Sequence, residues 1–233
     1  MFYKERNGFG CMKYQAIIFD LDGVICHTDQ YHYLAWKQIA DELEVYFDEQ
    51  INNRLRGVSR RESLEIILEA YPGRLTEEEK TYYTEKKNGL YRSLLQNMSA
   101  ADVTAEVRET LDQLRSQGIL LAIGSSSKNA KSILKQIGLE DYFDAVSDGT
   151  NITHSKPDPE VFLTASQFLG VEPRLCLVVE DARSGVEAAL AANMDCAAIG
   201  DATRYNLAQY NLQRFSDLLQ ISQFGHGDGS CGR

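Results

Sequence analysis

No run of the sequence is apolar for long enough to span a membrane. The opening, MFYKERNGFGCMKYQ, has no apolar stretch of the kind that heads an exported chain, so no signal peptide is expected. The five cysteines, Cys11, Cys26, Cys176, Cys196 and Cys231, are odd in number and form no C-x-x-C pair. They read as reduced thiols of a cytoplasmic protein, used mostly as small buried hydrophobes. Positive charge is also scarce: 24 Lys and Arg stand against 34 Asp and Glu, a formal net charge of -10. An acidic surface argues against nucleic acid and anionic membranes as partners. It also obliges any anionic substrate to find a local cluster of cations or a metal. Repeats and low-complexity tracts are lacking.

What is present is ordinary globular material: 233 residues, 43% hydrophobic and 25% charged, enough for one sizeable domain or a core with a small appendage. QAIIFD (15–20), ILLAIG (119–124) and LCLVVED (175–181) read as buried strands, with DAVSD (144–148) and CAAIG (196–200) as weaker ones. Helical spacing fills the gaps at 106–118, 129–138, 159–170 and 184–193, with Pro159 placed in a first helical turn. Strands alternating with helices predict an α/β fold, a doubly wound, Rossmann-like parallel sheet covered on both faces. Residues 28–97 break the rhythm. They lack strands, and SRRE (59–62) and TEEE (76–79) look like capping boxes that open helices. The expected organisation is an amino-terminal extension (1–11), a core (12–27 and 98–225), an inserted helical domain (28–97) and a mobile tail (226–233).

FDLDGV (19–24) carries the strongest chemical signal. Two aspartates two residues apart, at a strand end before a glycine, can supply a nucleophilic carboxylate and a second carboxyl for proton transfer. Acids and glycine also make simple turns, so the tetrapeptide alone leaves both readings open. Ser125 taken alone is an ordinary turn serine, Lys156 a solvated loop lysine, and the pair Glu180 and Asp181 a helix cap. In chain order, however, DLDG, GSSS (124–127), SKPDP (155–159) and VVEDARSG (178–185) together resemble the haloacid dehalogenase superfamily. The resemblance implies a phosphoryl group carried on Asp20, general acid–base work by Asp22, phosphate binding by Ser125, and charge neutralisation by Lys156. It also implies Mg2+ held by Asp20, Asp181 and the Asp22 main-chain carbonyl, with Glu180 at or near the shell.

A closer resemblance, to the β-phosphoglucomutases, spans about residues 12–225. FDLDGVI and YHYLAW in 19–36, LRGVSRRESL (55–64), KKN (86–88), SSSKN (125–129) and SKPDPEVF (155–162) carry it. It implies interconversion of β-glucose 1-phosphate and glucose 6-phosphate through β-glucose 1,6-bisphosphate, by a monomer acting on small sugar phosphates. Thr28 and His32 would hold Asp22 at the hinge of the insertion, which resembles a small cap closing over the site. Arg60 would bind the distal phosphate. Gly57, Val58, Ser63 and Lys87, with Arg56 beside the sugar site, would meet the sugar or its phosphate, and Ser127, Lys128 and Asn129 would meet it from the core side. His32 could equally be a packed structural histidine, and Lys86 and Lys87 an exposed helix face. Arg60 and Arg61 at a helix start sit against the dipole, a hint that an anion is the intended partner. Arg56 stands where the family usually has lysine, and His27 where it often has an acid. The alternative on the same fold is a sugar-phosphate phosphatase. A regulator without catalysis would be expected to lack at least one of Asp20, Asp22, Lys156 and Asp181, and all four are present.

Overall fold

Four residues, Ala16–Phe19, make the central strand β1, and the alternation of their side chains sets the layers of the molecule. Ile17 and Phe19 enter one apolar cluster and Ala16 and Ile18 the other. A strand with both faces buried needs this continuous apolar run rather than an apolar–polar alternation. The computed structural model describes residues 13–55 and 58–223. The expected extension and tail lie outside these residues, as do Arg56 and Gly57.

Strands β2 (Leu120–Gly124), β3 (Ala145–Ser147), β4 (Cys176–Glu180), β5 (Asp195–Ala198) and β6 (Tyr210–Asn211) join β1 in one parallel sheet of order β3-β2-β1-β4-β5-β6. Both weaker strand candidates are therefore strands. β6 was not expected: two residues carry no periodicity, and the pairing Ala197↔Tyr210 that defines it is tertiary. Helices α5 (Ala105–Ser116) and α6 (Ala130–Gln136) cover one face through Leu111, Leu114, Ile133 and Leu134. Helices α7 (Glu160–Leu169) and α8 (Arg183–Ala191) cover the other through Val161, Phe162, Val186 and Ala189, and α9 (Leu218–Gln223) is the last element among the described residues. Pro159 is the residue before α7 rather than within its first turn, its fixed backbone angle serving the helix entry.

Between β1 and β2 run α1 (Asp29–Glu42), α2 (Glu49–Arg54), α3 (Arg60–Leu68) and α4 (Glu77–Leu95). They share an apolar cluster of their own, built on Trp36, Ile39, Leu43, Phe47, Leu64 and Ile67. Tyr31, Ala35, Tyr91 and Leu95, at the roots of α1 and α4, pack instead into the sheet's cluster. Both predicted capping boxes are present, Ser59 with Glu62 and Thr76 with Glu79. Among the described residues no helix is long and apolar enough to cross a membrane.

The two kinds of support should differ in weight. Leu111→Ala, at a fully buried position, is expected to cost ~2–5 kcal/mol. Thr76→Ala should cost about 1 kcal/mol through the lost cap. Urea unfolding of both variants checks this, and equal losses would contradict the assignment of Leu111 to the main core.

Candidate active site

The order of the sheet reverses at β1, with β2 on one side and β4 on the other. Such a switch point opens a crevice at the carboxyl ends of the strands. Asp20 follows β1, and its N–H donates to the Val179 carbonyl at 2.9 Å, which keeps it in register with β4. The chain then turns through Gly23, whose φ is +89°. A Cβ there would lie 2.2 Å from Asp181 Oδ2, so only glycine allows this turn to close against the acidic pair. The turn returns Asp22 to the cleft, where the Thr28 hydroxyl donates to Asp22 Oδ1. Desolvation, and then the Asp20 charge, push the Asp22 carboxyl up to about 7.

Lys156 reaches into the same place from the loop after β3. It is 4% exposed. Its Nζ donates to Asp20 Oδ1 at 2.5 Å and to Glu180 Oε1 at 2.6 Å. Burial alone would lower the lysine, but the Asp20 and Glu180 carboxylates hold it charged. The other Glu180 oxygen accepts the Ala182 N–H at 2.9 Å. Glu180 fits only because Gly185 has no side chain: a Cβ there would sit 1.8 Å from Glu180 Oε1. Burial pushes Glu180 up, against the pull of the Lys156 ammonium.

Ser125, 1% exposed, is fixed by its N–H to the Ser147 carbonyl at 3.0 Å. Its hydroxyl oxygen accepts the Ser127 N–H, and Ser127 Oγ accepts the Asn129 N–H, both at 3.2 Å. Each hydroxyl thus keeps its proton for another acceptor. Oxygen atoms of Asp20, Glu180 and Asp181 lie within 4.8 Å of one another. A compact set of hard carboxylate oxygens fits a hard divalent cation such as Mg2+.

The helical insertion supplies the opposing wall. Val58, Arg60, Ser63, His32 and Lys87 all line the cleft, together with Ser127 and Asn129. The partly open cleft offers about 160 Å³, which suits a small polar ligand better than a drug-sized one. Lys87 is buried, 2.9 Å from His32 Nδ1, with its ammonium 4.5 Å from the Tyr91 ring and 5.1 Å from the Trp36 ring. Burial first, then the Arg60 charge, lower Lys87 to about 7. Burial, Lys87 and Arg60 hold His32 well below its ordinary value, so it is neutral. The exposed-face reading of Lys87 is excluded by its burial. Ser63 lines the cleft, but its hydroxyl donates to the Ser59 carbonyl at 3.0 Å. Lys128 departs from expectation. It is exposed and absent from the cleft lining, because the turn that points Ser127 and Asn129 inward points the residue between them out. Asn88 and Ser126, part of the KKN and SSSKN segments but given no role of their own, also line the cleft, as does Tyr91. Tyr91 lies one turn beyond Lys87, the i, i+4 spacing that puts both on one helix face.

The family model of the haloacid dehalogenase-like hydrolases matches residues 14–193. The chain belongs to the haloacid dehalogenase-like hydrolase family. Within that family it is 39% identical to the β-phosphoglucomutase of Bacillus subtilis (strain 168), over 88% of this chain and 91% of that one. It is 34% identical to a phosphorylated carbohydrates phosphatase of Thermotoga maritima, over 78% of this chain and 82% of the other. A crystal structure of β-phosphoglucomutase from Clostridium difficile superposes with a TM-score of 0.83 at 36% identity, covering 88% of this chain and 93% of that chain. The superfamily resemblance and the doubly wound fold read from the sequence are borne out, and the chain is an enzyme of this haloacid dehalogenase-like family.

The buried lysine of the insertion makes stability depend on pH. In the fold Lys87 titrates at about 7, against 10.5 for the ordinary side chain. Between those values the unfolded chain binds the additional proton, so this residue makes stability rise with pH. Below about 7 the lysine is charged in both states and its penalty is complete. Lys87→Met should therefore gain stability relative to the wild type as pH falls from 10 toward 7. Urea midpoints at several pH values test this; a difference independent of pH would show that Lys87 is not desolvated.

Proposed function

We propose that this chain is a β-phosphoglucomutase, interconverting β-D-glucose 1-phosphate and D-glucose 6-phosphate through an aspartyl-phosphate and β-glucose 1,6-bisphosphate. One observation supports this reading above the others: the cleft has two cationic poles on different walls. Lys156 stands at Asp20 on the sheet side, and Arg60 opens helix α3 on the insertion side. A substrate with two phosphates, or one phosphate facing a phosphorylated aspartate, meets both.

Asp20 attacks the phosphoryl group and carries it, while Lys156 and the Ser125 hydroxyl offset the charge on its oxygens. Asp22, whose carboxyl titrates near neutrality, protonates the leaving sugar oxygen and later takes the proton from the attacking hydroxyl. Arg60, with Asn129 across the cleft, grips whichever phosphate is not reacting. Val58, Ser127 and Lys87 border the sugar. Mg2+, held by Asp20 and Asp181 with the Asp22 carbonyl and Glu180 close behind, would neutralise charge on the transferring phosphoryl oxygens. Residues 28–97 act as a cap that closes over the site and excludes water, with Thr28 and His32 at its hinge, and residues 12–27 and 98–225 form the core.

Asp20→Asn should abolish transfer, leaving no acid-labile phosphoenzyme by mass spectrometry; undiminished turnover would rule out Asp20 as nucleophile. Arg60→Ala removes a charged hydrogen bond worth about 1.5–3 kcal/mol, roughly 10- to 150-fold in kcat/KM for the sugar phosphate. The loss should be smaller with acetyl phosphate, which has no distal group. The deciding assay supplies β-glucose 1-phosphate with Mg2+ and a trace of β-glucose 1,6-bisphosphate, with the α-anomer as control. Glucose 6-phosphate from the β-anomer alone is expected; free phosphate in its place would make the chain a sugar-phosphate phosphatase.

A further inference from the structure

Asn88 sits on α4 with its side-chain oxygen turned to two donors at once. Arg60 Nη2 donates to Asn88 Oδ1 at 2.9 Å, and Asn129 Nδ2 donates to the same oxygen at 3.1 Å. Arg60 belongs to α3 of the insertion, while Asn129 precedes α6 on the sheet side. One amide oxygen therefore ties the two walls of the cleft together.

One of the donors gives up a local interaction to be there. Asn129 occupies the N-cap of α6, where asparagine ordinarily accepts a backbone N–H, yet it makes no cap hydrogen bond. Arg60 has a carboxylate neighbour, Glu85, but at 3.4 Å and with that side chain 68% exposed. A pair so exposed contributes little. The closer acceptor is the uncharged one. An amide oxygen orients a guanidinium without cancelling its charge, which a carboxylate in the same place would do. Two convergent donors on one oxygen also reproduce what a phosphate oxygen would receive at that spot.

We propose that Asn88 is a positioning residue that holds Arg60 and Asn129 converged on the point where an oxygen of the distal phosphate binds, its amide oxygen standing in for that oxygen until substrate arrives. The inference rests on the reading of Arg60 as the distal-phosphate ligand. It accounts for a neutral residue at position 88: Asn88 must bind both donors and yet yield them to a stronger, charged acceptor. It requires that the identity of residue 88 act through Arg60 and Asn129.

The test compares Asn88→Ala and Asn88→Asp, each alone and in an Arg60→Ala background, with β-glucose 1-phosphate and with acetyl phosphate. Asn88→Ala should raise KM for the sugar phosphate about 3- to 10-fold with kcat largely kept, the scale of one neutral hydrogen bond. Asn88→Asp should raise KM further, because its charge pins Arg60. Acetyl phosphate use should fall less in both, which also reports that the variants are folded. In the Arg60→Ala background the Asn88 substitutions should change KM by clearly less than they do alone, the remainder acting through Asn129. An Asp variant as good as the wild type, equal losses for both donors, or additive effects with Arg60→Ala would each overturn the role of Asn88. The Arg60→Ala single variant separates the two levels. If it loses both donors equally, the distal-phosphate reading falls and this inference with it; if it is selective and the Asn88 variants are not, only the inference falls.

Discussion

A single buried ammonium organises the site. Lys156, enclosed between Asp20 and Glu180, is a desolvated charge with two carboxylates at hydrogen-bond distance. Such an arrangement is a poor device for stability, since removing either carboxylate leaves charge buried without compensation, at roughly 3–5 kcal/mol. Its use lies in preorganisation. Under the proposed function, the cation would need no rearrangement when negative charge develops beside Asp20. Much of the local structure follows from keeping it in place. β1 and β4 must lie side by side so that Asp20 and the acidic pair end together. Glu180 must be anchored by the Ala182 N–H. Gly23 and Gly185 must lack side chains, because a methyl at either would occupy carboxylate space.

The insertion then decides what the second wall offers. It brings Arg60, Lys87 and His32 toward the cleft, three groups that could all be cationic in water. Crowding prevents that. Lys87 is driven toward neutrality by burial and by Arg60, and His32 is neutral for the same reasons. Burial lowers Arg60 too, yet a guanidinium starts so high that it keeps its charge. The result is one firm positive pole rather than a diffuse patch. In a chain with a net charge of -10, such concentration gives an anion one place to bind on that wall.

How much of this could be read from the sequence depends on how local each feature is. Asp20, Ser125 and Asp181 each follow an apolar strand directly, so the position of their side chains at the sheet's carboxyl edge follows from chain order alone. The reading failed where geometry is set at a distance. Strand β6 exists only through its pairing with β5. Asn88 and Tyr91 lie on a helix, EEEKTYYTEKKNGLYRSLL, that is polar nearly all round, so no apolar stripe announces which face turns inward. Lys128 lies exposed outside the cleft lining because a turn alternates in and out on a scale that sequence spacing does not resolve. Arg56 and Gly57 fall outside the described residues, so their expected part stays with the family resemblance.

The same trade recurs at two helix starts beside the cleft. Thr28 is the N-cap of α1 and Asn129 the N-cap of α6, and neither side chain caps its own helix. Thr28 donates to Asp22, and Asn129 donates to Asn88. At α2, α4 and α5 the caps are made in the ordinary way, by Asp48, Thr76 and Thr104, and Ser59 caps α3 although it too lines the cleft, so position beside the cleft does not by itself forbid a cap. A cap surrendered costs about 1 kcal/mol, a loss that makes sense only where the side chain serves another purpose. At Thr28 that purpose couples two events. The residue stands where the chain leaves the sheet for the insertion, so any movement of α1 relative to the sheet stretches its bond to Asp22. The hydroxyl's donation favours the charged form of that carboxyl, so its loss would make Asp22 hold its proton more tightly. Under the proposed function, the position of the insertion and the proton on Asp22 would be linked through this one hydrogen bond.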